Sequence, residues 1–193
     1  MIALRDGGFD GNGHTAFDLA LSAPAVRNGE WWRLLSYSLV HFGLLHIGSN
    51  LLMLWIVGRV LEPGTGPMRF ATIYVVSVLG GAAGALITTS HGGITGGASG
   101  GVFGVVAAAT LVLHRQGIRF WDAGFGPLLL INLGLGLFVS NISLGGHIGG
   151  LVAGVLTAEG MLRARKMQMP VLGYVGALIV GVVSVGLALA VAR

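Results

Sequence analysis

Thr95-Gly-Gly-Ala-Ser-Gly-Gly-Val-Phe-Gly104 sets the hydroxyl of Ser99 among five glycines at the mouth of a long apolar segment. A serine with no bulk beside it is approachable, and glycine lets a backbone bend sharply and lets another chain come close. Unpaired amide hydrogens at a helix start can stabilise a developing negative charge. These are the needs of a nucleophile. The same residues serve close helix packing in a membrane, because Gly100 and Gly104 satisfy the small-xxx-small spacing, and both readings stand on this stretch alone. Gly97-x-Ser99-x-Gly101 also matches the nucleophile elbow of soluble hydrolases, but that pattern needs a strand, a turn and a helix around it. The flanking sequence offers no such setting.

What flanks it is apolar. Hydrophobic residues make up 54% of the chain and charged residues 9%, and the mean hydropathy is +0.85. This composition excludes a soluble domain and indicates an all-α, polytopic membrane protein. The 193 residues allow about six spans of roughly 20 residues with short connections. Helices are expected rather than a barrel, because the apolar runs are continuous and do not alternate. With no cysteine, disulfide and thiol chemistry are absent. No nucleic-acid partner is expected from the net charge of +4, since most basic residues fall in loops on one side.

Residues 1–30 are polar and Gly-rich, carry Asp6, Asp10 and Asp18, and hold no apolar run long enough to span. They form an external N-terminal segment. From Trp31-Trp32-Arg33 to about residue 44, aromatic, polar and apolar residues mix as in a segment lying in the interface. Spans are then expected over about residues 45–61, 70–88, 99–113, 125–139, 147–162 and 171–192. Arg59, Arg69, Arg115, Arg119, Arg163, Arg165 and Lys166 fall in loops on one side, which makes that side cytoplasmic, while Arg5, Arg27, Arg33 and Arg193 fall on the other. Both termini then face outward. Ser99 and His147 lie at matching depth near the external face, each at the N-terminal end of its own helix.

His147 follows Gly145-Gly146 and could simply face water. Yet Gly150 and Gly154 come three and seven residues later on the same helical face. A second helix can pack on that smooth face and bring its own side chain against the imidazole. An ionisable group at such depth is a functional candidate, and neutral imidazole is the usual general base for serine. His46 and Asn50, four residues apart, share a face of the first span. They either bond neighbouring helices together or point two neutral donors into a cavity and hold an oxyanion. His14, His91 and His114 fall in loops or at helix ends, where solvent exposure is expected. Asn132 and Glu159 are candidates for interhelical bonding, and Glu62 for accepting bonds from exposed amides at the cytoplasmic helix ends. No grouping of His, Asp and Glu has metal-ligand spacing, and no cofactor is called for.

Trp32-Arg33, His41-x4-His46-x3-Asn50, Gly97-Ala98-Ser99-Gly100 and His147-x2-Gly150-x3-Gly154, in this order on successive spans, resemble the rhomboid intramembrane serine proteases. The Gly58-x3-Glu62 end of the first span also fits, and the resemblance covers roughly residues 30–163. It implies Ser99 as nucleophile and His147 as general base, a dyad without the orienting Asp of a triad. It implies His46 and Asn50, with the Ser99 amide, as the oxyanion site, and His41 and Trp32-Arg33 as structural or near the entrance. Phe103, one turn after Ser99, can stack on His147. The implied substrates are transmembrane proteins, reaching the site laterally beside residues 125–139, and the implied setting is the plasma membrane with the site open to the external face. Residues 31–163 would be the core and residues 164–193 a cytoplasmic loop and an extra C-terminal helix. The family core carries one more helix ahead of Trp32-Arg33, so the expectation is a core without it, from a truncated chain start or from a member that lacks that helix. A catalytically silent relative that binds transmembrane clients is the alternative; a small transporter would instead need broken helices in two matching halves.

Overall fold

The computed structural model describes residues 14–89, 93–119, 121–122, 124–138 and 143–193. Three short helices, α1 (His14–Leu19), α2 (Ala23–Arg27) and α3 (Arg33–Ser36), lead through a 3-10 turn (Tyr37–Leu39) into the bundle. The bundle consists of α4 (Leu44–Thr65), α5 (Pro67–Thr88), α6 (Ser99–Arg115), α7 (Phe125–Phe138), α8 (Leu144–Lys166) and α9 (Pro170–Val191). Two two-residue strands, β1 (Leu21–Ser22) and β2 (Ile94–Thr95), pair antiparallel, Leu21 opposite Thr95. The fold is the expected helical membrane bundle. By length and apolarity, α4, α5 and α9 each suffice to cross a bilayer, while α6 and α7 are shorter apolar helices.

The shortness of α6 goes with its position. Val102, Phe103, Val105, Val106, Ala108 and Ala109 are all buried, so this helix is enclosed on every side by protein. α4, α5 and α8 pack around it, and α9 lies along α5 and α8. Lipid is as apolar as leucine, so burial alone does not hold such a bundle; close packing does. α8 achieves that on two faces. A Cβ at Gly150 or Gly154 would overlap the α6 backbone at Gly100 or Gly104, and one at Gly145 or Gly149 would overlap the α5 backbone at Gly84 or Gly80. The small-residue stripes of α6 and α8 therefore meet each other.

Helix ends differ from the expectation where local chemistry carries them further. α4 runs through Pro63 to Thr65, beyond the expected stop near residue 61. Its last carbonyls find partners there: Thr65 Oγ1 donates to Leu61 O at 2.9 Å and Arg69 Nη1 to Thr65 O at 3.0 Å. Gly66, at φ +86°, ends it, and Pro67 opens α5 at once. α8 starts at Leu144 because the Ser143 side chain accepts the Gly146 amide at 3.1 Å. His147 accordingly sits one turn inside the helix.

Residues 16–26 dock on the bundle, with Ala16, Ala20, Leu21 and Val26 buried. Arg33 ties it down: the guanidinium donates to Ala20 O at 2.7 Å and to Phe17 O, and pairs with Glu30 at 2.6 Å. Trp31 and Trp32 are exposed, as an interfacial belt requires. At the far end of α6, Arg115 meets Glu159 of α8 at 2.6 Å, Arg163 meets the same carboxylate, and Arg165 Nη1 donates to Gly64 O at 3.0 Å. Glu159 is thus an interhelical partner as expected, whereas Asn132 bonds within its own helix, to Leu128 O. Glu62 and His114 are exposed. His91 lies outside the described residues.

Candidate active site

Ser99 is the first residue of α6, and the residue capping that helix is Ala98. Alanine has no side-chain oxygen to take up the first-turn amides, so those hydrogens stay available, unlike the capped start of α8. The loop leading to Ser99 is held on two sides. β1 pairs with β2 just upstream, and the turn after α3 takes two amides: Gly97 N donates to Tyr37 O at 3.0 Å and Ala98 N to His41 Nε2 at 3.3 Å.

The α6–α8 crossing brings Ser99 and His147 together. His147 Nε2 stands 2.9 Å from Ser99 Oγ across 48 residues of sequence. The ring of Phe103 lies flat on the imidazole, centroids 4.2 Å apart at 6°. His147 is buried, Ser99 half-buried, and His147 Nδ1 has no hydrogen-bond partner among the described residues. Among those residues the imidazole is oriented by stacking and by its helix, with no carboxylate on Nδ1.

His46 and Asn50 are buried on α4. The Phe42 amide donates to His46 Nδ1 at 3.3 Å. A neutral imidazole accepting at Nδ1 carries its hydrogen on Nε2, and that Nε2 has no partner among the described residues. The point where a Cβ of Gly97 would sit is 2.7 Å from His46 Nε2 and 3.7 Å from Ser99 Oγ. Gly97, at φ +136°, thus leaves a hollow between a free N–H donor and the serine hydroxyl. Asn50 Nδ2 donates one hydrogen to His46 O at 2.9 Å, and Asn50 Oδ1 is unpartnered among the described residues. His41 stands edge-on to His46, ring centroids 5.0 Å apart; burial holds its imidazole below the ordinary histidine value.

Ser99, His147, His46 and Asn50, expected to act together, thus lie at one end of the bundle, with His46 and Ser99 beside the hollow and His147 against the Ser99 hydroxyl. Sequence reading missed Tyr37. Its hydroxyl donates to Val78 O at 2.8 Å, and it sits against the positions where α5 and α6 are glycine, Gly81 and Gly100. Only the pairing of a lone tyrosine with glycines on two other helices could have signalled it, and no spacing rule links them. Among the described residues no group of three or more His, Asp or Glu could hold a metal ion.

The family model described as Rhomboid domain matches residues 28–164. The chain is 35% identical over 139 residues to Rhomboid protease GluP of Bacillus subtilis, an alignment covering 70% of this chain and 27% of the relative. It is 35% identical over 141 residues to RHOMBOID-like protein 5 of Arabidopsis thaliana, covering 70% and 45%. Against Rhomboid protease GlpG of Haemophilus influenzae it is 30% identical over 153 residues, covering 74% and 77%. The chain therefore spans less than half the length of the first two relatives.

Proposed function

The chain belongs to the rhomboid family of integral membrane proteins, and on that premise we propose that it is an intramembrane serine endopeptidase with Ser99 as nucleophile and His147 as general base. The observation that carries the reading is the 2.9 Å approach of His147 Nε2 to Ser99 Oγ between two helices. Ser99 Oγ attacks the scissile carbonyl carbon while its proton passes to His147 Nε2. The carbonyl oxygen becomes an oxyanion in the hollow at Gly97, facing His46 Nε2–H, with the Ser99 amide and the second Asn50 Nδ2 hydrogen as further donors. Collapse breaks the C–N bond, and the His147 proton goes to the leaving amine. Water then attacks the acyl-enzyme with His147 again taking a proton, and Ser99 is regenerated as the carboxylate product departs.

The substrate is a membrane-anchored protein whose span unwinds near its end, because a helix hides the carbonyl that must be attacked; Gly, Pro or small polar residues favour that. Access is lateral, where α7 meets α4. The active site opens to the external face, since the basic residues gather at the opposite end, and the setting is the plasma membrane. Residues 31–163 form the catalytic core, residues 1–30 an external segment, and residues 164–193 a cytoplasmic connection and an added helix.

Proteoliposomes holding the protein and a fluorescent transmembrane substrate series test the reading. Cleavage by the wild type, lost in Ser99→Ala and in His147→Ala, is expected. Retained cleavage in Ser99→Ala overturns it, and a folded wild type that binds the series without cutting points to the silent client-binding alternative.

A further inference from the structure

The peptide joining Gly97 to Ala98 is the last link before the nucleophile, and its own residues restrain it little. Gly97 has no side chain, and rotation about a glycine is nearly free. Were that peptide to turn over, a carbonyl and an amide dipole would exchange directions beside Ser99 and the first turn of α6 would shift. One bond from the preceding turn opposes this directly, at the Ala98 amide, and a second fixes the peptide before it, at the Gly97 amide. The Gly97 amide is held by the Tyr37 carbonyl at 3.0 Å, and the Ala98 amide by His41 Nε2 at 3.3 Å.

We infer that His41 is a positioning residue that locks the Gly97–Ala98 peptide, its Nε2 lone pair holding the Ala98 amide and so setting the start of α6, with Ser99, against His147 and His46. The role rests on the serine-protease reading. The tautomer is fixed by the other nitrogen: His41 Nδ1 lies 3.3 Å from Leu39 O, a contact that requires the hydrogen on Nδ1 and leaves Nε2 bare. The two histidines of the α4 approach therefore have opposite tautomers. His46 accepts at Nδ1 and offers its Nε2 hydrogen to the hollow, whereas His41 donates at Nδ1 and accepts at Nε2. The imidazole is 8% exposed, which protects the bond from competition by water, and burial favours the neutral form that can accept. His41 touches no reacting atom; it acts through the backbone of the nucleophile's loop.

Three variants separate the acceptor from the bulk. His41→Phe keeps a ring against His46 but has no lone pair, His41→Gln returns an acceptor at similar reach, and His41→Ala removes both. In the full chain, His41→Phe is expected to lower kcat by about tenfold or more with KM little changed, and His41→Gln to recover most of the loss. A second readout does not depend on activity. In a Ser99→Ala background, hydrogen exchange across residues 93–102 is expected to speed up by about tenfold in His41→Phe and to return towards the wild-type rate in His41→Gln. Unchanged exchange and kcat in His41→Phe, a change confined to KM, or a folded His41→Gln no better than His41→Phe would overturn the assignment. A wild type that does not cleave overturns the protease reading instead, and the exchange experiment then decides the lock by itself.

Discussion

At the scale of the residue, the proposed oxyanion hollow makes the sharpest demand. His46 presents an Nε2 hydrogen with no partner among the described residues beside the Gly97 cavity, so His46→Ala should lower kcat on the order of a hundredfold or more while leaving KM nearly unchanged. Single-turnover cleavage measures this, and a loss expressed in KM would mean that His46 binds substrate instead. His41 makes a demand on pH. Its folded value lies below that of an exposed histidine, ~6.5, so on acidification the unfolded chain takes up the proton first. Stability is complete above about pH 6.5 and declines as pH falls below it. The thermal midpoint of the wild type should therefore drop more between about pH 7.5 and pH 5 than that of His41→Gln; parallel pH profiles would contradict this. Ser99, His147, His46 and Asn50 were legible because each stands at a helical spacing from another polar or small residue. Tyr37 and the backbone partners of Arg33 were not, since their bonds go to the carbonyls of Val78, Phe17 and Ala20, which no sequence pattern marks.

At the scale of the element, everything depends on how closely α6 and α8 cross. Gly150→Ala places a methyl group against the Gly100 backbone, and overpacking of this kind costs about 1–3 kcal/mol. Gly160, on the same helix, has open space at its Cβ position, so Gly160→Ala should be neutral or stabilising by roughly 0.5–1 kcal/mol. Thermal unfolding in detergent distinguishes the two, and equal midpoints would remove the crossing from the account. The Gly100/Gly104 and Gly150/Gly154 stripes were visible beforehand, but their meeting was legible only through the expected Ser99–His147 pair, because small-xxx-small spacing identifies a smooth face and not its partner. The β1–β2 pair was invisible for another reason. Strands of two residues have no alternation to detect, and their pairing joins segments far apart in sequence. Helix ends moved where a cap or a carbonyl partner intervened, at Ser143 and Thr65.

At the scale of the whole molecule, the two ends of the bundle differ in chemistry. The N-terminal ends of α6 and α8 carry Ser99 and His147, and their C-terminal ends carry the cluster of Arg115, Glu159 and Arg163. Seventeen residues of α6 set these ends roughly 25 Å apart. That polarity was readable from the distribution of Lys and Arg, and the general bundle from the apolar runs. The docking of the segment before residue 30 was less so, since it depends on short buried pieces around Ala16, Leu21 and Val26 rather than on one long apolar run. The central claim is that this frame activates Ser99 through His147. Covalent labelling of the purified protein by a serine-reactive fluorophosphonate tests it most directly, comparing the wild type with Ser99→Ala and His147→Ala. The account predicts labelling of the wild type that is lost in both variants; a folded wild type that stays unlabelled, or labelling that persists without Ser99, would contradict it.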